Sequence, residues 1–158
     1  MYNGSLVFNK PEDFTSHDAV AKLRGILRQK KIGHAGTLDP MARGVLVVLL
    51  GSATRASDYA SGQQKEYVAR LRLGLTTDTQ DITGEVLAQH QGALPSFEAF
   101  AEAAGAFVGE IRQVPPMYSA LKVNGQKLYD LARQGKTVER QPRPVTIHEL
   151  TLLGMDAD

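Results

Sequence analysis

The chain reads as an α+β protein built on a mixed sheet. Short strands with a single apolar face, helices at 3.6-residue spacing set between them, and the lack of any internal repeat or low-complexity segment predict this class. Its 158 residues are the size of one domain, with 42% hydrophobic and 22% charged residues as in ordinary globular chains. Leu6, Val7 and Phe8 start a strand that Asn9, Lys10 and Pro11 end. Thr15 or Ser16 then caps a helix whose apolar positions are Val20, Leu23, Ile26 and Leu27.

Gly33, Gly36 and Pro40 predict a loop over 32–44, and VLVVLL at 45–50 follows as a buried strand. A short helix is expected over 52–61. Tyr67, Ala69, Leu71 and Leu73 alternate with Val68, Arg70 and Arg72, which predicts a strand over 67–73. The polar run GLTTDTQDITG at 74–84 is a turn-rich connection. Ser96 caps a helix carrying Phe97, Phe100, Ala104 and Phe107 and ended by Gly109. A strand over 110–114 meets Pro115 and Pro116, which forbid regular pairing. Residues 119–123 read as a strand ending in the turn pair Asn124 and Gly125. A helix with Leu128 and Leu131 stops at Gly135, and 145–153 is the last strand.

Composition excludes several functions. With no cysteine there is no disulfide framework, thiol chemistry or Cys-based zinc site, and a reducing cytoplasm is the expected compartment. The four histidines have no metal-ligand spacing. No apolar run approaches the roughly 18 residues that span a bilayer, and the first residues, MYNGSLVFNKPED, lack signal-peptide character.

Net charge is only +1, but its distribution is uneven. Lys22, Arg24, Arg28, Lys30 and Lys31 come without an intervening acid. Arg112, Lys122, Lys127, Arg133, Lys136, Arg140 and Arg143 face only Asp130 and Glu139, whereas 78–110 holds six acids and no Lys or Arg. The two basic stretches suit a phosphate backbone if the fold joins them, and equally suit a solvated surface.

The densest reactive group is GHAGTLDP at 33–40. Its glycines allow close backbone approach, His34 can stack or hydrogen-bond, and Pro40 holds Asp39 extended. Such a carboxylate fits a nucleophile or general base, and equally a turn whose Asp39 caps local amides.

Five segments in order resemble the bacterial TruB family of tRNA pseudouridine-55 synthases. KPEDFTSHDAV is similar to the family's K-P-x-G-x-[ST]-S opening. GHAGTLDPMARGVLVVLLGSATR resembles its active-site motif, G-H-x-G-T-L-D-P-x-A-[TS]-G-[VM]-L. KEYVARLRLGLTTDTQDITGEV, QVPPMYSALKVNGQKLYDLARQG and RPVTIHEL resemble the stretches that follow, the second of which helps hold the tRNA T-arm. The resemblance implies the pseudouridine synthase catalytic fold, α+β with a mixed, mainly antiparallel sheet and flanking helices. It also implies an isomerase acting on uridine 55 of the T-loop.

That reaction breaks the C1′–N1 bond, turns the uracil and rejoins it through C5. By the resemblance Asp39 is catalytic, whether by attacking C1′, removing the 2′-proton or adding to the base. His34 takes or borders the space left by the flipped base, and Tyr67 stacks on the uracil. Asp81 sits near the site or serves its own turn. Lys10, Tyr118 and Lys122 are supports or phosphate contacts, and Arg43 replaces a small residue. His34, Asp39 and Tyr67 are expected within about 10 Å of one another, the span of one gripped base. With no redox change and uracil itself leaving, neither metal nor cofactor is expected. The partner expected is tRNA, with no membrane and no obligatory protein partner.

Family members run well past residue 158, into an arginine that pairs with the catalytic aspartate and a small C-terminal RNA-binding domain. The resemblance therefore implies a truncated catalytic domain over 1–158 whose activity alone is in doubt. An inactive T-arm-binding fragment is the alternative, and a guide-directed synthase of the dyskerin type ranks last.

Overall fold

The computed structural model describes residues 1–119, 121–123 and 125–156. The chain divides into two compact units, Met1–Val68 and Ala69–Asp158.

In the first unit, strand β1 (Gly4–Lys10) leads into helix α1 (Ser16–Leu27), followed by strands β2 (Ile32–Ala35) and β3 (Gly44–Leu50). The VLVVLL run becomes the central strand, antiparallel to β1 on one side and β2 on the other. Thr15 caps α1. Its side chain accepts from the Asp18 amide while the Asp18 carboxylate accepts from the Thr15 amide, a reciprocal capping box. Ala19, Val20 and Leu23 of α1 pack on Ile32, Leu46, Val48 and Leu50, with Leu6 and Phe8 beside them. Ile26, expected on that apolar face, is exposed, while Arg28 closes the helix in the left-handed conformation. Gln29 is buried and clamps residue 2, accepting from the Tyr2 amide and donating to the Tyr2 carbonyl.

Residues 32–35 correct the loop expected over 32–44. IGHA carries too little apolar bulk to signal a strand, and becomes one by pairing with β3. After β3 come a 3₁₀ turn, Gly51–Ala56, and helix α2, Ser57–Ser61. The strand expected over 67–73 does not form. Those residues have no ladder partner among the described residues, and Tyr67, Val68 and Leu71 are exposed. Alternation marks a surface suited to a sheet, but a strand exists only through its partner.

In the second unit, β4 (Leu75–Thr77) pairs with β5 (Val86–Gln89), a strand the sequence did not signal. Ser96 caps helix α3 (Phe97–Gly105) by accepting from the Ala99 amide. Strand β6 (Gly109–Gln113) pairs with β9 (Arg143–Ile147). β9 was expected over 145–153 but ends at Ile147, where its five-residue partner ends opposite it at Gly109. Between them, β7 (Lys122–Val123) and β8 (Gln126–Lys127) form a minimal hairpin leading into α4 (Leu128–Arg133), with Leu128 and Leu131 buried. Of the strand expected over 119–123, Lys122 and Val123 form β7, while Ala120, and Asn124 of the expected turn, lie outside the described residues.

The α+β class holds. Every strand pair described is antiparallel, and the strands fall into four sheets rather than one mixed sheet. No helix among the described residues is long and apolar enough to cross a membrane.

Candidate active site

Asp39 lies on the loop 36–43 between β2 and β3, exposed to solvent. Gly36 (φ 87) and Gly44 (φ 119) bracket the loop in backbone conformations that side chains rarely adopt. Between them Asp39 opens a turn over Pro40, closed by the Ala42 amide donating to the Asp39 carbonyl at 3.0 Å.

The loop is pinned from below by the segment between β1 and α1. Lys10, the last residue of β1, is wholly buried and meets backbone carbonyls. Its ammonium donates to the carbonyls of Pro11 at 2.8 Å, Phe14 at 2.5 Å and Pro40 at 3.2 Å. Since a buried charge needs charge-assisted partners, this geometry ties the residue after Asp39 to the end of β1. The Asp13 amide also donates to the Pro40 carbonyl, at 2.9 Å. On the other side of Asp39, the buried Ser16 hydroxyl accepts from the Leu38 amide at 2.9 Å and lies 3.3 Å from the Leu38 carbonyl, to which it donates. Leu38 itself packs against the core. Both neighbours of Asp39 are therefore fixed while its own side chain faces water.

His34 stands on β2 opposite Val48, which puts it on the core-facing side of the sheet. Its Nδ1 lies 2.6 Å from the Gly36 carbonyl, which only accepts, so Nδ1 carries the proton and Nε2 is left for another partner. Tyr67 is 68% exposed in irregular chain, with no hydrogen bond to the Asp39 loop among the described residues. His34 and Lys10 thus hydrogen-bond to the loop that carries Asp39, at Gly36 and Pro40, and Tyr67 does not among the described residues.

Asp81, Tyr118 and Lys122 belong to the second unit. Asp81 organises its own turn: Oδ1 accepts from the Thr79 hydroxyl and from the Thr83 hydroxyl and amide. Burial pushes this carboxyl up, but the Thr83 and Thr79 donors outweigh it and hold it below the ordinary 3.8. Tyr118 is exposed just after the proline pair, whose Pro115 carbonyl accepts from Arg140. Lys122 sits directly across the β7–β8 ladder from Lys127 and borders a groove of about 630 Å³. Lys127 in turn donates to the Tyr129 hydroxyl at 2.7 Å, and both it and Arg133 lie over the Tyr129 ring.

The family model described as TruB family pseudouridylate synthase (N terminal domain) matches residues 24–158. The chain belongs to the TruB family. It is 48% identical over 154 residues to tRNA pseudouridine synthase B of Clostridium kluyveri, covering 98% of this chain and 53% of that protein. It is 50% identical over 150 residues to tRNA pseudouridine synthase B of Geotalea uraniireducens, covering 95% and 48%. Among solved structures, a chain of the Cbf5-Nop10-Gar1 complex superposes with a TM-score of 0.60 at 27% identity, covering 97% of this chain and 36% of that one. The TruB-family chain thus spans about half the length of the relatives it matches.

Two departures from the family pattern now have a location. Asp13 stands where the opening motif has glycine, and it keeps a left-handed backbone (φ 63). Arg43 stands where the active-site motif has Thr or Ser, and its guanidinium pairs with Glu12 at 2.7 Å. Sequence reasoning passed over Ser16 and Asp13 as loop anchors. For Ser16 the signal available was its place in the opening motif, just after the Thr15 cap; for Asp13, whose backbone amide makes the contact, the side chain gave none.

Proposed function

We propose that the protein carrying this chain is a tRNA pseudouridine synthase that isomerises uridine 55 of the T-loop. The observation that carries the reading is Asp39, an exposed carboxylate whose two chain neighbours are pinned by the buried Lys10 and Ser16. A free carboxylate on a fixed backbone is suited to reacting with a nucleotide presented from solvent, because orientation is set before the substrate arrives.

In this reading the T-arm binds, uridine 55 leaves its stack, and Asp39 acts on it while the C1′–N1 bond breaks. Uracil turns and rejoins through C5; N1 gains a hydrogen and C5 loses one, with no net redox change. The chemistry therefore calls for neither a metal nor a cofactor. His34 offers Nε2 beside the space the base leaves, and Tyr67 supplies an exposed ring for stacking. Lys10 acts through the loop. Tyr118 and Lys122, together with the basic stretches at 22–31 and 112–143, serve RNA binding, and Asp81 holds its own turn. Identity of 48–50% to tRNA pseudouridine synthase B against 27% to the Cbf5-Nop10-Gar1 chain favours a tRNA substrate.

The test is hydrogen release from C5 of a T-arm stem-loop labelled at that carbon. Release from the T-loop uridine is expected, with none when that uridine is replaced by cytidine. Release at equal rates from an unrelated stem-loop would refute the T-arm assignment, and no release by the intact protein would refute the activity.

A further inference from the structure

We propose that Arg43 is a phosphate contact for the bound RNA and that Glu12 is its resident competitor, an intramolecular partner that an RNA phosphate displaces. The inference rests on the RNA-isomerising role proposed above and adds to it a device that sets affinity at the mouth of the site.

The segment 11–16, with Lys10 just before it, meets the loop 36–43 through four residue pairs. Three run to or from the backbone: Lys10 and Asp13 to the Pro40 carbonyl, and Ser16 to Leu38. The fourth, Glu12 to Arg43, joins two side chains at 2.7 Å, and these are 49% and 73% exposed. The backbone links position the loop without it, so the ion pair adds little to loop geometry. An exposed pair of this kind is weak and easily screened, which makes it cheap to open.

Charge says what would open it. The exposed ionic side chains on those two segments are Glu12, Asp13, Asp39 and Arg43, the Lys10 ammonium being buried against the Pro40 carbonyl, so a polyanion approaching Asp39 meets three carboxylates and one guanidinium at the surface. Arg43 lies on the far side of the Pro40 turn from Asp39, on the same loop. A guanidinium matches two phosphate oxygens as well as two carboxylate oxygens, so one anion replaces the other without loss of hydrogen bonds. Glu12 released this way is rehydrated at the surface.

A double-mutant cycle on the intact protein tests the idea, using equilibrium binding of a T-arm stem-loop at several salt concentrations. Arg43→Ser is expected to weaken binding by about tenfold at low salt and to lower the salt slope by about 0.7–1. Glu12→Gln is expected to tighten binding about two- to five-fold by freeing the guanidinium. In the Arg43→Ser background the Glu12→Gln gain should vanish. An equal gain in both backgrounds would mean that Glu12 merely repels RNA, and an unchanged affinity and slope for Arg43→Ser would mean that Arg43 touches no phosphate. Either result overturns the inference while leaving the proposed function standing. Failure of the unsubstituted protein to bind the stem-loop would overturn both.

Discussion

Replacing Lys10 by methionine keeps the apolar stem in place and removes only the ammonium, which isolates what that charge does. Three carbonyls lose a donor. Pro40 retains the Asp13 amide at 2.9 Å, so two carbonyls, those of Pro11 and Phe14, are left without a described protein partner. Each orphaned acceptor costs about 1–3 kcal/mol, less where water reaches it. The variant also no longer buries a charge, which offsets part of the loss. The net expectation is a destabilisation of about 2–3 kcal/mol, or roughly 4–12 °C in Tm for a chain of this size. The loop should suffer separately. Freed from the end of β1, Pro40 can shift, and a displacement of about 1 Å at Asp39 costs on the order of 100-fold in turnover. Thermal melts and C5-release rates on the same preparation, assayed well below Tm, separate the two effects. Unchanged stability would show that the ammonium is not holding the carbonyls; a stability loss with full turnover would show that the loop does not depend on it.

Asp13→Gly should stabilise the chain by about 0.5–1 kcal/mol, because relief of left-handed strain worth about 1–2 kcal/mol outweighs the added freedom of the unfolded glycine; a lowered Tm would show that the Asp13 side chain is itself needed there. Hydrogen bonds from Thr15, side chain first and then amide, hold the Asp18 carboxyl below its ordinary 3.8. A depressed folded value means that this stabilisation is complete above pH about 4 and is lost as pH falls through the folded value. Asp18→Asn should therefore flatten the acid limb of stability below pH 4, read by denaturant midpoints across pH; a limb as steep as before would remove Asp18 from the account.

Elements with local signals were legible. Thr15 and Asp18 spell a capping box, and VLVVLL is a buried strand from composition alone. Elements that exist through pairing were not. IGHA becomes β2 against β3, while the cleaner alternation at 67–73 found no partner and stayed irregular. The site shows the same division. The motif and the resemblance pointed to Asp39 and His34, and the loop placement follows from Gly36 and Pro40. The resemblance also pointed to Lys10, as a support or phosphate contact, but not to its burial, since lysine is almost never fully buried. That its ammonium meets three carbonyls depends on where β1 ends beneath a loop 30 residues away. The Glu12–Arg43 pair is likewise tertiary, with no spacing that announces it.

Turnover and binding by Asp39→Asn on one T-arm stem-loop bear most directly on the proposed chemistry. The amide is nearly the same size as the carboxylate, and the backbone anchors at Leu38 and Pro40 do not involve the side chain. The variant should keep the Tm and the salt-dependent affinity of the unsubstituted protein while C5 hydrogen release falls by at least about 10³-fold, as expected when a reacting group is removed from an intact site. Release within a few-fold of the original rate would contradict the assignment of Asp39 as the reacting carboxylate.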